Sequence, residues 1–171
     1  HFAALLLLPG ASHAVITWDG STSGNWDTSA NWDLNRVPNT LEQVIFPAAG
    51  ANKTMTNNRP AATSFQKLTF SGSGYVVGGN SVNMTDALAT LPAIEATHTS
   101  GSTALNFPIT VGELLTISCS AGGTLALNAT ADITLGTNNL TLSAAGTIDV
   151  NSTISGSGSV TIQGGGVTRV Y

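Results

Sequence analysis

From about Ser64 to the last residue, one short phrase recurs: an apolar, polar, apolar triplet followed by Gly, Ser, Thr, Asn or Ala. It reads Leu68-Thr69-Phe70, Val82-Asn83-Met84, Leu105-Asn106-Phe107, Leu115-Thr116-Ile117, Leu125-Ala126-Leu127, Ile133-Thr134-Leu135, Leu140-Thr141-Leu142, Ile148-Asp149-Val150 and Val160-Thr161-Ile162. Alternation at period two marks strands with one buried face, and recurrence at short intervals marks a stack of such strands. Few other folds accept so many short strands in so regular an order.

The spacing narrows the choice. Leu125 to Ile148, Ile133 to Ile154 and Leu140 to Val160 are steps of roughly 20 to 23 residues, so three successive strands return to equivalent positions after one turn of a three-sided coil. At about 3.3 Å per residue, such a turn holds three strands of four or five residues with short corners. Ala121-Gly122-Gly123, Gly136-Thr137-Asn138-Asn139, Ala145-Gly146 and Gly156-Ser157-Gly158 supply corner residues. The pattern predicts a right-handed parallel β-helix, with Ile148 over Leu125, Ile154 over Ile133 and Val160 over Leu140. Extending the register backwards places Leu105, Val82 and Leu68 near the Leu125 column. Leu125, Leu127, Ile133, Leu135, Leu140, Leu142, Ile148, Val150, Ile154, Val160 and Ile162 are expected in the core. An antiparallel β-sandwich is the alternative, because strands at 8 to 12 residue spacing also suit it.

Only 8% of the 171 residues are charged, against about 25% in a usual soluble domain. Hydroxyls and amides must carry the solubility. The net charge of −4, with Arg36, Lys53, Arg59, Lys67 and Arg169 scattered, forms no basic patch and argues against nucleic-acid partners and anionic membrane surfaces. Cys119 is the only cysteine, so no internal disulfide forms, and its place in Ile117-Ser118-Cys119 reads as a small buried apolar residue. Residues 1–14 read as the remnant of a signal peptide. Phe2-Ala3-Ala4-Leu5-Leu6-Leu7-Leu8 is a short apolar run broken by Pro9-Gly10, and Ser12-His13-Ala14 places small residues at the −3 and −1 positions of a cut before Val15. The run is too short to span a bilayer as a helix, so no integral span is expected in the mature chain.

Between Val15 and Pro60 the pattern changes. All three tryptophans fall in Thr17-Trp18-Asp19-Gly20, Gly24-Asn25-Trp26-Asp27 and Ala30-Asn31-Trp32-Asp33, followed by Pro38 and Val44-Ile45-Phe46-Pro47. An open solenoid end exposes core and unpaired backbone and must be covered, which three indoles can do. Alternatively Trp18, Trp26 and Trp32 form a platform that stacks on sugar rings, with Asp and Asn beside them.

Trp18-Asp19-Gly20, Asn25-Trp26, Asn31-Trp32, Pro38, Val44-Ile45-Phe46, Ser64-Phe65 and Leu68-Thr69-Phe70-Ser71-Gly72-Ser73-Gly74-Tyr75 together resemble the N-terminal part of the autotransporter-associated β-strand repeat proteins. These are large secreted or surface-displayed bacterial proteins with a Trp-rich start and a long Gly-, Thr- and Asn-rich β-solenoid. The resemblance covers about Val15 to Tyr75, and beyond it the likeness is one of repeat style. It implies a surface or structural role and brings no catalytic residues with it.

Parallel β-helices also host polysaccharide lyases and hydrolases, whose sites need clustered carboxylates. Here Asp86, Glu95, Glu113, Asp132 and Asp149 step by fewer residues than one turn, so they drift around the coil. Asp132 is expected beneath Thr153, not beneath Asp149. Each acid therefore reads as a solvated corner or face residue. His98 lies in a predicted loop without a second His, which makes a poor metal site. Asn128-Ala129-Thr130 and Asn151-Ser152-Thr153 match sequons through composition and are not read as glycosylation sites.

The sequence thus predicts residues 1–14 as a signal remnant, 15–63 as a Trp-rich N-terminal cap with the first strands, and 64–171 as solenoid repeats. The expected role is structural or adhesive, secreted or on the cell surface, without enzymatic activity, cofactor or metal. Its expected partners are cell-surface glycans or further copies of the chain meeting through open solenoid ends. A carbohydrate-binding module built on Trp18, Trp26 and Trp32 is the second reading and a β-helix polysaccharide lyase or hydrolase the third.

Overall fold

The computed structural model describes residues 13–86, 88 and 90–171; the predicted signal remnant lies outside the described residues up to residue 12. Each apolar, polar, apolar triplet forms a short strand whose odd members point inward. The strands run in chain order around three walls. The first wall holds β1 (Val15–Thr17), β2 (Gln43–Phe46), β5 (Lys67–Phe70), β8 (Ala93–Ala96), β11 (Leu115–Cys119), β14 (Leu140–Ala144) and β17 (Val160–Gln163). A second wall holds β3 (Thr54–Asn57), β6 (Val76–Gly79), β9 (Ser102–Asn106), β12 (Thr124–Leu127), β15 (Thr147–Val150) and β18 (Val167–Val170). The third holds β4 (Thr63–Phe65), β7 (Val82–Met84), β10 (Ile109–Val111), β13 (Ile133–Thr134) and β16 (Ile154–Ser155).

Neighbours within each wall pair in parallel, one turn apart, giving an all-β solenoid of about five turns. Parallel pairing throughout the strands sets aside the sandwich alternative, which needs antiparallel neighbours. Ile148 lies over Leu125, Ile154 over Ile133 and Val160 over Leu140, as the spacing predicts. Stacking already begins at β2, so Gln43–Phe65 contributes a full turn before the repeats become obvious in sequence.

The backward extension of the register needs correction. Leu105 does lie on the second wall, but it stacks on Leu127 and Val77, while Thr103 stands opposite Leu125. Val82 belongs to the third wall with Ile109, and Leu68 to the first between Val44 and Ile94. Turn length is the cause: Thr63 pairs with Val82, 19 residues on, whereas Val76 pairs with Ala104, 28 residues on. Corners absorb the difference, because a loop adds little cost as it lengthens whereas a one-residue slip in a strand would turn its apolar set outward.

The two ends differ. At the N-terminal end β1 pairs with β2, and the chain then crosses the end of the tube, where Trp18 and Trp32 form an antiparallel bridge and Asn25 bridges Thr56. All three indoles are buried, Trp18 and Trp26 at 0% and Trp32 at 1% exposure. Trp26 stacks on Phe46 at 5.3 Å between centroids, Phe46 stacks on Phe70 at 4.6 Å, and Trp18 meets Trp32 edge-on at 4.9 Å. Gly20 permits the turn after Trp18: its φ is +64°, and a Cβ there would collide with the Ala51 carbonyl and the Trp18 indole nitrogen. Tyr75 closes the same aromatic cluster, donating its hydroxyl to the Pro47 carbonyl at 2.7 Å, and burial pushes its pKa up to about 12.

In the last described turn the predicted core residues are only partly covered. Leu125 to Val150 supply buried triplets as expected, but Val160 is 41% and Ile162 56% exposed, and Ile154 is only partly buried. Their side chains point along the core columns, over Leu140, Leu142 and Ile133, with no further turn above them among the described residues. No helix among the described residues is long and apolar enough to cross a membrane.

Candidate functional site

The tryptophans offer no surface. A sugar-stacking platform needs an exposed aromatic face, and these faces are spent on each other and on Phe46, Phe65 and Phe107. Trp18 Nε1 donates to the Ala51 carbonyl at 3.2 Å and Trp32 Nε1 to the Trp26 carbonyl at 2.9 Å. Trp18, Trp26 and Trp32 therefore pack the first turns, as the cap reading expects, and the alternative of a glycan-contact platform is set aside.

Asn31, buried at 0%, organises the crossing segment. Its Oδ1 accepts from the Thr22 and Ser23 amides, both at 2.9 Å, and its Nδ2 donates to Ser23 Oγ and the Asn25 carbonyl, both at 2.9 Å. Sequence reading saw Asn31 only as a neighbour of Trp32. The signal was an amide inside an apolar, turn-rich stretch, where one side chain can satisfy several backbone groups that have no strand partner.

The acids disperse, as their spacing predicts. Lys67 pairs with Glu95 at 2.8 Å, Arg169 with Asp149 at 2.9 Å, and the Thr153 amide donates to Asp132 at 3.1 Å, placing Asp132 beneath Thr153. Asp86 is the exception and a correction, since its side chain is fully buried rather than solvated. His13 Nε2 meets Asp86 Oδ1, while Oδ2 accepts from the Thr90 amide and hydroxyl, each at 2.5 Å. Burial raises its pKa, but donors from Thr90, Leu88 and His13 outweigh that and hold the carboxyl well below the usual carboxylate range. The order of groups matters chemically. Nucleophile activation places the imidazole between carboxylate and hydroxyl; here the carboxylate stands in the middle, so the trio ties the start of β1 to the loop before β8.

His98 lies in the corner after β8, as expected, yet is buried at 7%. Its Nε2 lies 3.0 Å from Thr103 Oγ1, a fully buried hydroxyl at a core-facing position of β9. Burial lowers the His98 pKa, so the ring is neutral near pH 7. Nδ1 is also buried and has no hydrogen-bond partner among the described residues. His98 lines a groove of about 310 Å³ at the corner between the first and second walls, together with Ser71, Ser73, Thr97, Thr99 and Ser100. The groove exists where the corner is long: residues 97–101 join β8 to β9, whereas residues 145–146 alone join β14 to β15.

A row of asparagines marks another corner. Asn128 Nδ2 donates to Asn106 Oδ1 at 2.8 Å one turn away, and Asn57 Nδ2 to the Asn80 carbonyl at 2.7 Å. The sequon asparagine at 128 is thus engaged in holding turns together. Cys119 is buried as read from its alternation, and burial raises its thiol pKa away from reactivity. Among the described residues no group of three or more His, Cys, Asp or Glu side chains is placed to hold a metal ion.

Comparison with protein-family models, with curated proteins and with solved structures finds no match for the chain.

Proposed function

We propose that the chain is a secreted or surface-displayed bacterial solenoid with a structural and adhesive role, its stack serving as a rigid stalk or coat element. The observation that carries this reading is the composition of the outward faces. On the first wall Thr116, Thr141 and Thr161 stack in one column and Ser118 and Ser143 in the next, and on the third Thr110 and Thr134 continue into Ser155. Uncharged hydroxyl columns over a continuous core are what a wall exposed to changing ionic conditions needs, because its solubility does not depend on screened charge. The apolar run and small-residue pattern of residues 1–14 support export, and the Trp-rich start supports kinship with the autotransporter-associated repeat proteins. Its partners are cell-surface glycans and further copies of the chain.

Protease treatment of intact cells that express the natural protein tests the placement. Loss of the protein from intact cells, with a cytoplasmic control protected, is the expected result, and protection until lysis overturns the reading. Adhesion is tested by retention of beads coated with the chain on cell monolayers under flow; retention no better than albumin-coated beads removes the adhesive half.

A further inference from the structure

We propose that folding of the first turn closes the bond between Ala14 and Val15 to hydrolysis, so that a cut before Val15 acts only on a chain whose first turn has not yet formed. The proposal rests on the export reading above for that cut, and it assigns to the fold the order of the two events. Hydrolysis there adds the hydroxyl of water to the Ala14 carbonyl carbon and the remaining hydrogen to the Val15 nitrogen, and the new acid then passes its proton to the new amine. A peptidase needs extended backbone around the bond that it can pair with as a strand, and it needs its own donors to reach the carbonyl oxygen on which charge develops. The first turn withholds both.

The Ala14 carbonyl lies on the edge of the chain that faces β2, where it accepts from the Gln43 amide at 2.9 Å. Val15, Ile16 and Thr17 follow in parallel register with Gln43, Val44 and Ile45. The opposite edge is engaged at Thr17, whose amide donates to Asp33 Oδ1 at 3.0 Å and whose carbonyl accepts from the Asp33 amide at 3.0 Å. Drawing this stretch into a peptidase would lift the Ile16 and Trp18 side chains, both at 0% exposure, out of the core. Before the bond the chain is held by different means: the His13 side chain is 8% exposed, and its Nε2 meets the fully buried carboxylate of Asp86, which Thr90 also holds. Ala14 and Val15 themselves are exposed. Side-chain access alone would therefore mark the bond as open, and it is the engaged backbone with its two anchored flanks that closes it.

The test uses elastase, whose pocket takes small residues, with mass spectrometry of the cut between Ala14 and Val15. A synthetic peptide of residues 1–24 gives the initial rate for the same bond in an unfolded chain. The folded full chain should be cut there at least about a hundredfold more slowly, because cutting tracks the small population in which β1 is open. Asp86→Asn weakens the hold on His13 and leaves the sequence around the bond unaltered. It should speed this cut about tenfold, while cuts after Ala104 in β9 and Ala126 in β12 stay as slow as in the parent. Should all three bonds open together, the variant has unfolded as a whole, and Thr90→Val, which removes one hydroxyl from the same carboxylate, makes the comparison in its place. The proposal is overturned if the folded chain is cut at the rate of the peptide, or if the folded variant is cut no faster than the parent. A bacterial leader peptidase offered the same peptide separates this from the export reading. An uncut peptide takes the cut away from that reading and leaves the closure measured by elastase standing, whereas a folded chain cut as fast as the peptide overturns the closure and leaves export standing.

Discussion

The first and last described turns of the solenoid are built from the same kind of strand and cover their apolar faces to different degrees. Along one column of the first wall the inward residues run Phe46, Phe70, Ala96, Cys119, Ala144, from aromatic to small as the chain proceeds. In the first turns the tube is plugged by Trp18, Trp26 and Trp32 and by the hydrogen bonds of Asn31. In the last described turn Val160, Ile162 and Val170 are 41%, 56% and 53% exposed. The lesson is that sealing a parallel stack takes a segment that abandons the repeat. Repeating units cannot do it, because each presents to the next the edge and apolar surface that it covers on the one before.

The largest expected effect is at the plug. Trp26→Ala should lower the unfolding free energy by about 3 to 5 kcal/mol, and Leu142→Ala, inside the stack, by about 2 to 5 kcal/mol. Ile162→Ala, directly above Leu142 in the register but exposed, should cost less than about 1 kcal/mol. Denaturant titration of the three variants decides the matter: an Ile162→Ala cost equal to that of Leu142→Ala would mean that Ile162 is covered in solution, and the contrast between the first and last turns would fall.

A smaller loss is expected at Asn31→Ala, about 2 kcal/mol, since it removes the buried side chain that bonds the Thr22 and Ser23 amides and the Asn25 carbonyl. Circular dichroism should show the strand content retained while tryptophan fluorescence shifts to the red. A loss of all strand signal would instead make the plug a condition of folding at any turn.

Acid should act on the plugged half first. Glu42 is held below its ordinary pKa because donors from Arg36 and Asn39 outweigh burial, Asp86 is depressed in the same sense, and burial depresses His98. All three lie before β9. For each, the unfolded state takes up its proton at a higher pH than the folded state, so the stabilisation is present above the unfolded pKa and is lost as pH falls. Melting temperature should decline as pH drops through about 6.5 for His98 and again below about 4.5 for the carboxyls. A flat profile from pH 7 to pH 3 would contradict these assignments.

Hydrogen exchange gives the subtlest contrast. Amides in β17 and β18 should exchange faster than those in β11 and β12, since the outer turn has neighbours on one side only. Slower exchange at high protein concentration would report pairing between copies through this end. Sedimentation over the same range should show association that added salt does not reverse, because few charges are involved.

Much of this architecture is legible locally. Period-two alternation is a property of four or five consecutive residues, and Leu125-Ala126-Leu127 or Ile148-Asp149-Val150 discloses a half-buried strand with no knowledge of its neighbours. Their stacking from β12 onward was also readable, because the corners there are all short, two to five residues. The backward register through Val82 and Leu68 was not, since it sums over corners such as the loop from Thr85 to Pro92, whose length nothing in the strands constrains. The burial of Asp86 escaped for the same reason: its partners, His13 and Thr90, become its surroundings only when turns are wound to their actual lengths.

The candidate site divides along the same line. Sequence alone determined that this chain would form stacked, half-buried strands, that its surface would be hydroxyl and amide in place of charge, that its acids would not gather in a column, and that Cys119 would be buried. Only the tertiary structure decided that the tryptophans face inward, that Val160 and Ile162 remain uncovered, and that Ser71, Ser73, Thr97, Thr99 and Ser100 meet around His98. The first set follows from residue type and short-range periodicity, which the backbone enforces wherever it lies. The second depends on which turn lies above which, a sum of loop lengths and end effects that is settled when the coil closes on itself.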